Sequence, residues 1–141
     1  LEAMSAVSFN DLIEEVEKEE ILKIFSGFGK VEVVKEELMD AVTAVSGSSP
    51  AYVYMMIEAM ADAAVKQGMP RKQAYVFASQ AVYGASKMVL ETHQHPGQLK
   101  DAVCSPSGTT IEAVGKLEET GFRSSIIQAM DACYEKSKRM K

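Results

Sequence analysis

Cysteine is scarce in this chain and positive charge is outnumbered by negative, and each shortfall excludes something. Its two cysteines, Cys104 and Cys133, supply neither a disulfide framework nor the paired ligands of a structural zinc site, so a reducing cytoplasm is the expected compartment. There is no long Lys/Arg cluster, and the formal net charge is -5. That balance argues against a nucleic-acid partner and against an anionic membrane surface. The longest apolar run, Ala51-Tyr52-Val53-Tyr54-Met55-Met56-Ile57, is soon broken by Glu58 and Asp62, which leaves no stretch of membrane-spanning length. Leu1-Glu2-Ala3-Met4 has neither the basic start nor the apolar segment of a signal peptide. Repeats and low-complexity tracts are also missing.

What the chain does have is nine methionines and many alanines, a mixture suited to close, adaptable helix contacts. Its 141 residues suffice for one domain with a core, with room for a small piece of a second. From Met4 to Asn10 apolar and polar residues alternate weakly, as in a short strand. Ile21, Ile24, Phe25 and Phe28 then recur at helical spacing behind the acidic run Glu17-Lys18-Glu19-Glu20, predicting a helix within 11–28. Gly27-Phe28-Gly29 looks like part of a dinucleotide-binding glycine fingerprint. It ends a helix, however, where that fingerprint must follow a strand and open one, so it reads as a helix C-cap. Lys30 to Lys35 returns to β-type residues. Strand, helix, strand is a parallel unit that needs neighbouring strands.

From Glu36 onward strand signals stop, and helices follow one another. The domain boundary is expected at 36/37, with 1–36 as one piece and 37–141 as a helical domain. In Ser46-Gly47-Ser48-Ser49-Pro50, Gly47 can end one helix, Ser48 or Ser49 can cap the next, and Pro50 suits its first position. The helix predicted over 50–67 is apolar nearly all round and must be covered, by a partner subunit or by the centre of a bundle. Gly68-Met69-Pro70 separates it from a helix over 71–92. His93-Gln94-His95 invites a metal reading, but no third ligand lies close in sequence, and no metal is expected. Pro96 opens a short helix to Val103. Cys104-Ser105-Pro106-Ser107-Gly108-Thr109-Thr110 then leads into Ile111, and two further helices, separated by Gly121, complete the chain. Small hydroxyl-bearing residues ahead of a helix N-terminus can cradle an anion or merely cap the helix. The residues alone leave both readings open.

Four ordered stretches carry a resemblance: Asp40 to Tyr52, Gly68-Met69-Pro70-Arg71, His95-Pro96-Gly97-Gln98-Leu99-Lys100-Asp101, and Ser105 to Ile111. The chain resembles the C-terminal part of the pyrroline-5-carboxylate reductases, the enzymes of the last step of proline biosynthesis. The resemblance runs from Met4 to the end and leaves out only Leu1-Glu2-Ala3. It implies a mainly α fold: an interleaved all-helical dimerisation domain, like the C-terminal domain of 6-phosphogluconate dehydrogenase, preceded by a residual β-α-β piece of a Rossmann-type domain. It also implies NADPH or NADH as cofactor, bound mostly outside this chain, since no glycine fingerprint is present. The fragment alone is therefore expected to be inactive. The implied partner is a second copy, in a homodimer that could build a larger ring of dimers.

By the same resemblance Ser105, Ser107, Gly108, Thr109 and Thr110 hold the substrate carboxylate. Thr110 serves catalysis by hydrogen-bonding the ring nitrogen, while Ser46, Gly47, Ser48, Ser49 and Pro50 lie near cofactor and substrate. Ser107 and Ser49 stand where the family commonly has glycine. A serine at Ser107 is strained if its φ is positive. Two alternatives of other classes remain, a non-enzymatic helical oligomerisation module and a generic anion-binding helical protein.

Overall fold

The computed structural model describes residues 2–140. Strand β1 (Ala3–Val7), helix α1 (Glu15–Ser26) and strand β2 (Gly29–Val33) come first. The strands pair in parallel from Ala3 opposite Gly29 to Val7 opposite Val33, as the strand-helix-strand pattern predicts. At Gly29, φ is +154° and an added Cβ would lie 2.2 Å from the Ala3 carbonyl oxygen, so only glycine lets the strands approach here. Helix α1 starts later than the periodicity suggests. The Leu12 N–H donates to Asn10 Oδ1 (3.0 Å), a local turn that competes with helix. The Glu17 side chain then reaches back, its Oε2 accepting from the Glu14 N–H (2.9 Å), one half of a capping box.

A 3₁₀ turn (Glu36–Leu38) and helix α2 (Met39–Val42) lead into a widened π turn over Thr43–Gly47, and helix α3 (Ser49–Lys66) follows. Of the two expected caps of α3, Ser49 is corrected here, since it is the first residue of the helix. The hydroxyls of Thr43, Ser46 and Ser49 donate back to the carbonyls of Met39, Val42 and Val45. A serine that donates backward bends a helix rather than starting one. Gly68, with φ +101°, and the bond from Met69 N–H to Ala64 O (3.0 Å) end that helix.

Helix α4 (Arg71–Thr92) closes on His93, whose φ of 54° is left-handed. Helix α5 (Pro96–Ala102) is capped by His95, with Nδ1 accepting from the Gly97 N–H at 3.0 Å. The two histidines thus end one helix and begin the next. Helices α6 (Thr109–Glu119) and α7 (Phe122–Lys138) complete the described residues.

These residues divide into two compact units. One joins the chain up to Pro50 with the stretch from Gln128, and the other is Ala51–Ile127. In the first the buried residues are Ala44 and Asp40; in the second they are Ala61, Ala74 and Ala78. No large side chain is fully buried among the described residues, whereas Tyr54 and Met55 are each 69% exposed and Phe77 is 65% exposed. Among the described residues, no helix is long and apolar enough to cross a membrane.

Candidate functional site: a turn at the start of helix α6

Within the unit 51–127 the chain passes from α5 to α6 through a tight turn. The Gly108 N–H donates to Ser105 O at 3.0 Å, closing a four-residue turn with Pro106 and Ser107 at its centre. Proline supplies the fixed φ of the first central position. Ser107 takes the second at φ 56°, a left-handed value. Proline followed by positive φ is the pattern of a type II turn, whose second central residue is ordinarily glycine. Ser107 therefore occupies the conformation that makes serine costly, by roughly 1–2 kcal/mol.

Gly108 is the N-cap of α6, with φ -82° and ψ 166°. A Cβ there would fall 2.2 Å from Ser105 Oγ and 3.1 Å from Ser105 O. A larger residue there would have to turn the Ser105 hydroxyl aside and press on the Ser105 carbonyl, so glycine is favoured by crowding rather than by its own dihedrals. Since Gly108 carries no side-chain acceptor, α6 begins without a side-chain cap hydrogen bond. The backbone N–H groups of its first turn have no carbonyl a turn earlier within the helix and sit at the positive end of its dipole. That is the geometry in which a carboxylate or phosphate is held.

Ser105, Ser107, Thr109 and Thr110 are exposed around this helix start, and Gly108 is half-buried. Thr110 lies one residue inside the helix, where no helical carbonyl lies four residues back to accept its hydroxyl. Thr92 and Thr120, late in their helices, donate to Met88 O (2.7 Å) and Lys116 O (2.9 Å) instead. Position in the helix thus decides whether a threonine hydroxyl is available to a ligand.

Before the turn, Lys100 is hydrogen-bonded to Asp101. That bond raises its pKa above the ordinary lysine value against the opposing effect of desolvation, so the ammonium stays charged at neutral pH. The unit also contains a groove of about 520 Å³ lined by residues including His95, Lys100, Leu117 and Arg123. Leu117 is roughly 10 Å along α6 from Thr110, so this groove lies toward the far end of the helix.

The second predicted segment, 46–50, belongs to the other unit. Ser48 is half-buried, and its Oγ accepts from Cys133 Sγ at 3.1 Å. Ser137 Oγ on the same helix donates to Asp40 Oδ1 at 2.7 Å. Sequence reading singled out neither contact. Their partners lie 85 and 97 residues apart, and no local pattern signals such pairs. The β1–α1 connection, residues 8–14, contains no glycine. It does not fit the pyrophosphate turn of a dinucleotide site.

A family model described as pyrroline-5-carboxylate reductase dimerisation matches residues 36–140. The chain is 59% identical over 137 residues to the pyrroline-5-carboxylate reductase of Escherichia coli, covering 97% of this chain and 51% of that protein. Against the enzyme of the same name from Synechocystis the identity is 49%, over the same shares. The chain thus spans about half the length of the curated relatives it matches. Among solved structures it is similar to a pyrroline-5-carboxylate reductase from Coxiella burnetii, with a TM-score of 0.93 and 32% identity over 98% of this chain and 52% of that one. The Plasmodium falciparum pyrroline carboxylate reductase, solved with NADP bound, gives 0.85 and 36% over 96% of this chain and 52% of that one.

Proposed function

Because the chain belongs to the pyrroline-5-carboxylate reductase dimerisation family, we propose that it is the substrate-binding and dimer-forming part of an enzyme that reduces 1-pyrroline-5-carboxylate to L-proline. The observation that carries this reading is the type II turn feeding a helix whose N-cap has no side-chain acceptor. It suits the one anionic group of a small cyclic imino acid. The helical domain is taken as 37–141, in keeping with the start of the family match at residue 36, and 1–36 as the end of a dinucleotide-binding domain. A cytoplasmic location accords with the free thiols of Cys104 and Cys133.

The reduction draws its hydride from NADPH or NADH held largely outside these residues. This chain's own groups do the rest. Backbone N–H groups at the start of α6, with the hydroxyls of Ser105, Ser107 and Thr109, hold the carboxylate. Each charge-assisted bond contributes about 1.5–3 kcal/mol. Held at one end, the ring keeps a single face and a single reacting carbon toward the donor, which is the entropic part of catalysis.

Thr110 donates its hydroxyl hydrogen to the imine nitrogen. It is too weak an acid to protonate that nitrogen outright, so it polarises the C=N bond while the proton comes from solvent. Residues 46–50 are assigned a role toward cofactor and substrate from the family resemblance alone. The turn is exposed in this chain taken singly, so enclosure falls to a second copy and to the dinucleotide-binding domain.

Replacing Thr110 by alanine in the intact reductase tests this role. A hundredfold fall in kcat, about 2.7 kcal/mol of transition-state stabilisation, is expected. A variant that turns over at the parent rate removes Thr110 from the mechanism.

A further inference from the structure

Residues 39–49 have an uncommon local arrangement. Four α-helical residues give way to a π turn over Thr43–Gly47, closed by the bond from Ser48 N–H to Thr43 O at 2.9 Å. Such widened turns are rare and persist where surrounding contacts hold them, often beside functional sites. Here three hydroxyls donate backward along the segment, and Ala44 within the turn is buried. Those bonds stay within the segment. Two others tie it to α7.

Cys133 and Ser137 stand four residues apart on α7, hence on one face. They bracket the wide turn. Ser137 Oγ donates to Asp40 Oδ1 just before it (2.7 Å), and Cys133 Sγ donates to Ser48 Oγ just after it (3.1 Å). Asp40, the buried polar residue of the unit, is only 8% exposed. Ser48, Cys133 and Ser137 are half-buried. A buried carboxylate needs hydrogen-bond partners, and Ser137 supplies one of them. The Cys133–Ser48 contact ties the end of the wide turn to α7 as the Ser137–Asp40 bond ties its start.

We propose that Cys133 and Ser137 are positioning residues of the reductase site: as an i, i+4 pair on α7 they grip both ends of the π turn and set the placement of residues 46–50. The inference rests on the reading of 46–50 as part of the site. It deepens that reading by naming what holds the segment, and neither residue touches substrate.

The test uses the intact reductase, with a dinucleotide-binding domain ahead of this sequence. Cys133→Ala, Cys133→Ser, Ser137→Ala and Ser48→Ala are compared by steady-state kinetics, by amide hydrogen exchange across 43–50, and by thermal midpoint. Loss of one such hydrogen bond corresponds to about a fivefold effect. Cys133→Ala should therefore raise KM for the imino acid or the nicotinamide cofactor about fivefold and speed exchange across 43–50 by a similar factor. Cys133→Ser, which keeps a donor, should restore both, and Ser137→Ala should act in the same direction as Cys133→Ala.

Unchanged KM and unchanged exchange in both alanine variants of α7, beside a Ser48→Ala enzyme that is impaired, overturn the positioning role and leave the site intact. A fall in thermal midpoint alone, with kinetics unmoved, overturns it as well and marks the pair as structural. If Ser48→Ala itself leaves kcat and KM unchanged, the assignment of 46–50 to the site fails, and the inference fails with it.

Discussion

At the scale of single residues, two neighbours in the α5–α6 turn show opposite relations between residue type and backbone. Gly108 has dihedrals that any residue could adopt, yet the space beside it is filled by Ser105. Ser107 is the reverse, for its φ of 56° is one that serine adopts only at a cost. Sequence reading marked Ser107 as strained if its φ were positive, and the structure meets that condition. Ser107→Gly should stabilise the fold by roughly 0.5–1 kcal/mol, after allowing for the greater freedom glycine loses on folding. For a chain of this size that is an upward shift of about 2–3 °C in thermal midpoint. An unchanged or lowered midpoint would show that the turn already accommodates serine without strain.

Among elements, the long ones were legible and the short irregular ones were not. Helix α4 spans Arg71–Thr92, as its apolar spacing and its Gly68-Met69-Pro70 punctuation predict. The parallel pairing of β1 with β2 likewise follows from strand, helix, strand. The π turn before α3 could not be read. Its hydroxyls suit a cap and a backward bond equally, and the contacts of Asp40 and Ser48 with α7 lie more than 80 residues away in sequence. The turn before α6 could be read as a place for an anion only through the company of the other motifs.

Helix α3 shows a consequence of apolar pattern without cover. Tyr54, Met55 and Met60 are exposed on it, and Ala61 is its one buried residue among those described. A second copy that covers Met55 contributes about 2 kcal/mol through that side chain. Met55→Glu should therefore weaken self-association at least thirtyfold, read by light scattering across a dilution series. An oligomer unaffected by that change would exclude this face of α3 from the interface.

For the molecule as a whole, the described residues offer one β-α-β unit with two strands, a helical region rich in exposed apolar side chains, and a polar helix start open to solvent. A parallel sheet of two strands is half of a structure, because such sheets are ordinarily buried on both faces. Under the proposed function the open turn before α6 would hold only one side of the substrate, since hydride transfer needs a nicotinamide facing the ring and water kept out. These features accord with the proposed role as a substrate and dimerisation region of a longer reductase.

The most direct measurement is NAD(P)H oxidation with 1-pyrroline-5-carboxylate as acceptor, together with quantitation of L-proline, for these 141 residues alone and for the polypeptide in which a dinucleotide-binding domain precedes them. The expected result is one proline formed per NAD(P)H oxidised by the joined polypeptide and none by the 141 residues alone. Proline formation by the isolated chain, or a folded joined polypeptide that binds NAD(P)H yet forms no proline, would contradict the account.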